Sequence, residues 1–116
     1  MPEADRIARH LGVCYDVCHQ AVMDEDAGTG LLALEGAGVS VVKLQASCAL
    51  EVTHPCNEDA RSMLARFDED TYLHQVCARG EDGILRQATD LPEALSQRSA
   101  WHELQPWRVH FHVPVF

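Results

Sequence analysis

Short apolar segments recur along the chain, and connections of helix length separate them. Four segments have the length and the β-branched or aromatic content of strands, at residues 11–16, 39–47, 71–78 and 107–113. Helix signals fall between them: Gly36 and Gly38 end one segment, Asn57 is a candidate N-cap, and Asp90 precedes an early proline. Strands alternating with helices predict an α/β fold with about four parallel strands joined by right-handed crossovers. Residues 84–86 can also fold back on the third strand as a hairpin arm.

The chain has 116 residues and a net charge of −9, and these values limit its fold and its partners. The length suits a single domain, but it is about half of the roughly 250 residues of a TIM barrel. The negative charge would repel a nucleic-acid backbone over most of the surface, so nucleic acid is not expected as a partner. There is no apolar run of membrane-spanning length and no secretory signal, so we expect a cytoplasmic protein.

Polar side chains follow each predicted strand at or just after its carboxyl end. They are Asp16 and His19, then Lys43 and Gln45, then His74, and finally His110 and His112. In parallel α/β proteins the ligand lies at this edge of the sheet. Because residues two apart share a strand face, His110 and His112 are expected to face one cavity, and so are Lys43 and Gln45. The pattern predicts a site for a small polar molecule.

Asp16 and His19 are three residues apart, and a carboxylate with an imidazole suits a divalent zinc, manganese or magnesium ion. The alternative is a carboxylate that caps the loop and a solvated histidine. Lys43 could equally pair with a carboxylate, and Gln45 could satisfy backbone groups. Most of the five cysteines are expected to be buried as small apolar residues, because their spacing gives no CxxC motif.

Three motifs carry a resemblance to known families. The run GVCYDVCH, residues 12–19, resembles a metal-binding strand of the xylose-isomerase-like TIM barrels. Residues 14–22, 72–76 and 107–116 (CYDVCHQAV, YLHQV and WRVHFHVPVF) are more similar to the EboE-type metabolite traffic proteins. The resemblance implies that the chain is the later part of a (β/α)8 barrel, lacking the early strands and the last strand. A single domain over residues 1–116 with two unpaired sheet edges follows, and those edges are compatible with a homo-oligomer.

The resemblance also implies roles for the polar residues. Asp16, His19 and His74 match metal-binding positions, His74 and Lys43 are the candidate catalytic groups, and Gln45, His110 and His112 are the candidate substrate-binding groups. Lys43 stands where the nucleases of the superfamily carry a metal-binding histidine, which argues against nuclease activity. The function implied first is that of a metabolite traffic protein that binds a small polar metabolite through a metal. A metal-dependent sugar isomerase or epimerase is the second reading, and a nuclease is the last.

Overall fold

The computed structural model describes residues 2–113, with the side chains of residues 112 and 113 outside the description. The helices are α1 (Glu3–His10), α2 (Val17–Val22), α3 (Ala27–Gly36), α4 (Glu58–Phe67), α5 (Leu91–Ser96) and α6 (Arg98–Trp101). The strands are β1 (Val13–Asp16), β2 (Val41–Gln45), β3 (Cys48–Val52), β4 (Val76–Arg79), β5 (Leu85–Ala88) and β6 (Trp107–Val113).

The strands form two sheets instead of one. Strands β1 and β2 pair in parallel across the α2–α3 connection, as predicted for this strand–helix–strand unit. The other four strands form an antiparallel sheet in the order β3-β6-β4-β5. The prediction of a parallel four-stranded TIM-barrel fragment is therefore wrong.

Two short connections explain the antiparallel sheet. Strands β4 and β5 are joined through residues 80–84, with Gly83 at φ +76°, and a connection this short joins only antiparallel neighbours. This is the hairpin arm that the sequence offered as an alternative. Strand β3, which the sequence analysis did not predict, begins after only two residues beyond β2 and pairs with β6 in the opposite direction.

The main core lies on one face of the antiparallel sheet. Alternate residues of β6 enter it, and Trp107 and Val109 are fully buried, as the alternating pattern of that strand predicts. The ring of Trp101 meets that of Trp107 edge to face, with their centroids 5.6 Å apart. Helix α5 and strand β4 supply most of the remaining buried residues, including Leu91 and Val76.

A buried arginine joins two helical segments over this core. The Arg61 guanidinium donates hydrogen bonds to the carbonyl oxygens of Pro55 and Leu95, and its Cζ lies 5.5 Å from the centroid of the Trp107 ring. No carboxylate among residues 2–113 forms an ion pair with it. Arg61 therefore serves as a hydrogen-bond donor and as a flat cover for the tryptophan face.

Side-chain oxygens cap the helices at the predicted positions. Asn57 accepts hydrogen bonds from the backbone of Asp59 and Ala60, and it caps α4. Asp90 accepts from Leu91 at the start of α5. Both capping predictions are confirmed, and each cap satisfies backbone donors that the first helical turn leaves without partners.

A cluster of charges ties the end of α2 to the antiparallel sheet. Asp24 bonds to Arg79 on β4 at 2.8 Å and to Arg108 on β6, and Arg108 also meets Glu51 on β3 at 3.3 Å. The Arg79 hydrogen bond, together with the Arg108 charge, holds the pKa of Asp24 below its usual range. Asp24 also has φ +58°, a left-handed conformation that aspartate and asparagine tolerate better than most residues.

Replacing Asp24 with asparagine is expected to destabilise the protein at neutral pH, where Asp24 is ionised, and to have less effect at acidic pH, where Asp24 becomes protonated. Because the folded-state pKa is lowered, its contribution is complete above the ordinary aspartate pKa and disappears as the pH falls through the folded value. Asp24→Asn keeps the left-handed backbone, and it should cost at most about 1 kcal/mol at pH 7, since solvent screens this partly exposed cluster. Urea unfolding of both proteins at pH 7 and near pH 3 measures the difference. An equal difference at the two pH values would contradict the prediction.

Candidate functional site

The site begins where β1 runs directly into α2. Asp16 caps the helix, and its Oδ1 accepts hydrogen bonds from the backbone N–H groups of Cys18 at 2.9 Å and His19 at 3.2 Å. Its other oxygen, Oδ2, lies 3.8 Å from Nε2 of His19. The side chain of His19 is 52% exposed, so it is open to a ligand. Asp16 thus caps a backbone turn beside an exposed histidine, which is the arrangement of the second interpretation.

Helix α2 brings His19 to the middle of β6. The helix packs against this strand, and the Cys18 thiol donates a hydrogen bond to the carbonyl oxygen of Phe111 at 3.6 Å. The rings of His19 and His110 consequently lie with their centroids 4.4 Å apart. Two histidines that the sequence placed at one site do lie together, but an antiparallel sheet and a docked helix bring them there instead of a barrel edge.

His74 lies against the next residue of β6, Phe111. It is only 6% exposed, and its ring centroid is 4.4 Å from that of Phe111. Its backbone N–H donates to Oδ1 of Asp90 at 2.8 Å, which fixes the segment just before β4. Its Nε2 is buried and has no hydrogen-bond partner among residues 2–113. An unsatisfied buried nitrogen is costly, so a further hydrogen-bond partner for this atom would stabilise the protein.

Two adjoining cavities open between these histidines, and together we call them the histidine groove. One, of about 560 Å³, is lined by Phe67, Glu69, Tyr72, Leu73, His74, His110 and Phe111. The other, of about 340 Å³, is lined by His19, Leu73, Gln75, Gln87, Ala88, Thr89 and His110. Leu73 and His110 line both, so the two cavities share one wall. The groove combines three imidazoles with aromatic and amide side chains, a composition typical of sites for small molecules.

The predicted polar pair on β2 lies outside the groove. Strand β2 belongs to the other sheet, where Lys43 is opposite Cys14 and Gln45 is opposite Asp16. The predicted neighbourhood of Asp16 and Gln45 at one sheet edge is therefore observed, and Gln45 accepts a weak bond from the Cys14 thiol at 4.0 Å. Neither Lys43 nor Gln45 lines either cavity of the histidine groove. The side chain of His112 lies outside the described residues.

The donors do not form a metal centre within the described part of the chain. No group of three or more histidine, cysteine, aspartate or glutamate side chains there is arranged to hold a metal ion. Asp16 and His19 are neighbours, but His74 packs against Phe111 and is buried away from solvent. Two donors fall short of the three protein ligands that a catalytic zinc site uses. The residues present do not fit the divalent ion that the resemblance implies.

The cysteines beside the groove are not activated nucleophiles. Burial raises the pKa of the Cys18 thiol, and burial likewise raises that of Cys77. Both thiols therefore stay protonated at neutral pH. The expectation that most cysteines are buried is wrong, because Cys14, Cys48 and Cys56 are exposed.

Sequence reasoning missed the apolar part of the groove. Phe67, Tyr72 and Leu73 are all well over half exposed, although each is large and apolar or aromatic. Phe67 ends α4, and Tyr72 and Leu73 precede β4, although the sequence predicts a strand over residues 71–78. The available signal was the adjacency of Tyr72 and Leu73 to His74, because these two residues line the same cavity as His74.

Comparison of the chain with protein-family models, with characterised proteins and with solved structures finds no match. In the part of the chain that the structure describes, no helix has the length and apolar character needed to cross a membrane.

Proposed function

We propose that this chain is a binding protein for a small polar metabolite and that the metabolite occupies the histidine groove. The observation that carries the proposal is the buried, unsatisfied Nε2 of His74 in the lining of a 560 Å³ cavity. In the proposal, a turn of the His74 ring brings this nitrogen to a hydroxyl or carbonyl group of the ligand, since a neutral imidazole nitrogen either donates or accepts. The new hydrogen bond would offset the cost of burying this nitrogen without a partner.

The remaining walls of the groove fit the same class of ligand. His19 and His110 add two more imidazoles on the open side, and their rings lie side by side. Phe67 and Phe111, whose ring centroids are 6.0 Å apart in an edge-to-face arrangement, form an apolar surface next to His74. A molecule with one apolar face and several hydroxyl or carbonyl groups matches this division. Gln75 and Thr89 supply further polar contacts at the narrower end.

The proposed binding takes place without a metal. Asp16 is engaged as the cap of α2, and its second oxygen is close to His19. In the proposal, His19 contacts the metabolite directly, and Asp16 holds the imidazole at the mouth of the groove as a positioning residue. The two cavities, of about 560 and 340 Å³, have the volumes of small-molecule pockets, so a molecule of sugar size has room in either.

His74→Phe is expected to weaken binding while making the protein more stable. The phenyl ring keeps the aromatic contact with Phe111 but removes the unsatisfied nitrogen, so the free energy of unfolding should rise by about 1 kcal/mol. Loss of one ligand hydrogen bond should weaken binding by about tenfold. The probes are D-xylose, myo-inositol and citrate, tested by saturation-transfer NMR, and urea unfolding gives the stability.

The matched control is His102→Ala, because His102 is exposed and lies outside both cavities. It should leave binding and stability unchanged, whereas His19→Ala should weaken binding without loss of stability. The proposal fails if no probe binds the unmodified protein, or if His74→Phe binds the best probe as tightly as the unmodified protein does. A His74→Phe variant that is clearly less stable would show that the nitrogen has a partner in solution.

A further inference from the structure

Strand β2 is an exposed sheet edge. All five of its residues are exposed, and it pairs on one side with β1. On its other side no strand among residues 2–113 pairs with it. Val42 is 68% exposed and Leu44 is 57% exposed, although both are strongly apolar. Parallel strands are normally covered on both faces, and free sheet edges are normally protected. Strand β2 has exposed residues on both faces and a free edge, which is unusual for a chain that folds alone.

The molecule also exposes more surface than a compact monomer of its mass. Its accessible area is 7940 Å², whereas the size relation for compact monomers gives about 6300 Å². The radius of gyration is 17.2 Å, compared with about 13 Å for a compact domain of this length. The excess is about 1600 Å², which exceeds the roughly 800 Å² that each partner buries in a standard protein interface. The excess accessible surface of this chain is therefore large enough to form an interface of standard size with a partner.

The charge distribution selects a second copy of the chain as that partner. Between residues 36 and 50 the only charged residue is Lys43, although the whole chain carries a net charge of −9. Two copies would repel each other over most of their surfaces, but they can approach along this segment without bringing carboxylates together. A basic partner would instead prefer the acidic faces of the molecule. The competing edges of the other sheet are blunted, since β5 carries Arg86 and β3 carries Glu51 in ion pairs.

We propose that β2 pairs antiparallel with β2 of a second copy about a two-fold axis. The result is a continuous sheet in the order β1-β2-β2-β1, in which Val42 and Leu44 of the two copies lie on the same face. An axis through Leu44 places Lys43 opposite Gln45 of the other copy, so the two lysines do not face each other. A two-fold pairing uses up both free β2 edges, and the assembly closes as a dimer.

Measurement of molar mass by light scattering, from micromolar to hundreds of micromolar protein, tests the interface. The unmodified chain should have the mass of a dimer, and its unfolding temperature should rise with protein concentration. Leu44→Glu should give a monomer, because it places two carboxylates opposite each other on the axis. Val42→Glu should weaken the dimer, because it places a carboxylate diagonally beside the apolar Leu44 of the other copy. Ile84→Glu is the matched control, since it makes the same change at an equally exposed residue next to β5 and should remain a dimer.

The unfolding temperature of the unmodified chain at different protein concentrations gives a test that does not depend on whether the variants fold. A monomeric mass across the whole range, with an unfolding temperature that does not change, would overturn the proposal. It would also be overturned if folded Leu44→Glu, checked by circular dichroism, keeps the dimeric mass. Dissociation of Ile84→Glu to a monomer would place the interface elsewhere and equally refute it.

Discussion

Replacing Trp107 with alanine is expected to lower the free energy of unfolding by about 3–5 kcal/mol, the largest effect of any single change considered. The side chain is fully buried at the centre of the antiparallel sheet, where β6 pairs with both β3 and β4. Its removal leaves a cavity and deprives Trp101 of its edge-to-face partner and Arg61 of the ring that it covers. A domain of this size has a total stability of about 5–15 kcal/mol, so the loss is a large fraction of the whole.

Trp107→Phe separates packing from polarity. Nε1 of Trp107 is buried without a hydrogen-bond partner in the described part of the chain, so phenylalanine removes an unsatisfied donor along with part of the volume. This variant should lose less than half of what the alanine variant loses. Urea unfolding of both proteins gives the comparison, and Tyr72→Ala, at an exposed aromatic, is the control with an expected change below about 0.5 kcal/mol. Equal losses for the phenylalanine and alanine variants would show that the indole nitrogen is satisfied.

Arg61→Ala is expected to cost about 3 kcal/mol. The change removes charged hydrogen bonds to two backbone carbonyl groups, those of Pro55 and Leu95, and leaves both acceptors in a largely buried environment. It also uncovers one face of Trp107. Unfolding in urea measures the loss, and the unfolding slope should stay constant if only stability changes.

Arg61→Lys is the informative comparison for this site. An ammonium group keeps the charge, but it has no planar fork to reach both carbonyls while covering the ring. The lysine variant should therefore lie between the alanine variant and the unmodified protein. Because Arg61 and Trp107 are in contact, the double alanine variant should lose less than the two single losses combined. Additive losses would show that the guanidinium and the indole act independently.

Local features of the fold and the pairing of β1 with β2 were readable from the sequence, but the pairing of β6 with β3 and β4 was not. Asn57 and Asp90 cap helices as predicted, because capping depends on residues only two or three positions away. The direction of β6 depends on which strands lie beside it, and alternation of apolar residues is the same in parallel and antiparallel strands. Residues 71–75 have strand-forming composition, but His74 donates its backbone N–H to a side chain, and β4 begins only at Val76.

The sequence predicted that histidines lie together at the candidate site, but it did not predict the helix and the antiparallel sheet that bring them together. His19 and His110 are neighbours, as the sequence implied, but the contact depends on α2 docking against β6. Lys43 and Gln45 were assigned to the same site because one parallel sheet was assumed, and the second sheet separates them from the groove. The order of residues along the chain does not distinguish one parallel sheet from two separate sheets. The unsatisfied nitrogen of His74 is a property of the packed chain alone, so only the structure reveals it.

The central place of β6 in its sheet also sets a time at which the protein can fold. Strands β3 and β4 each pair with β6 and not with each other, and β6 spans residues 107–113. During synthesis, β3 and β4 therefore leave the ribosome before β6 and cannot pair with it until residues 107–113 have emerged. The hairpin of β4 and β5 can form earlier, but the sheet, its tryptophan core and the contact between His19 and His110 cannot. Ribosome-bound chains stalled before residue 107 should expose unpaired strands that nascent-chain chaperones recognise.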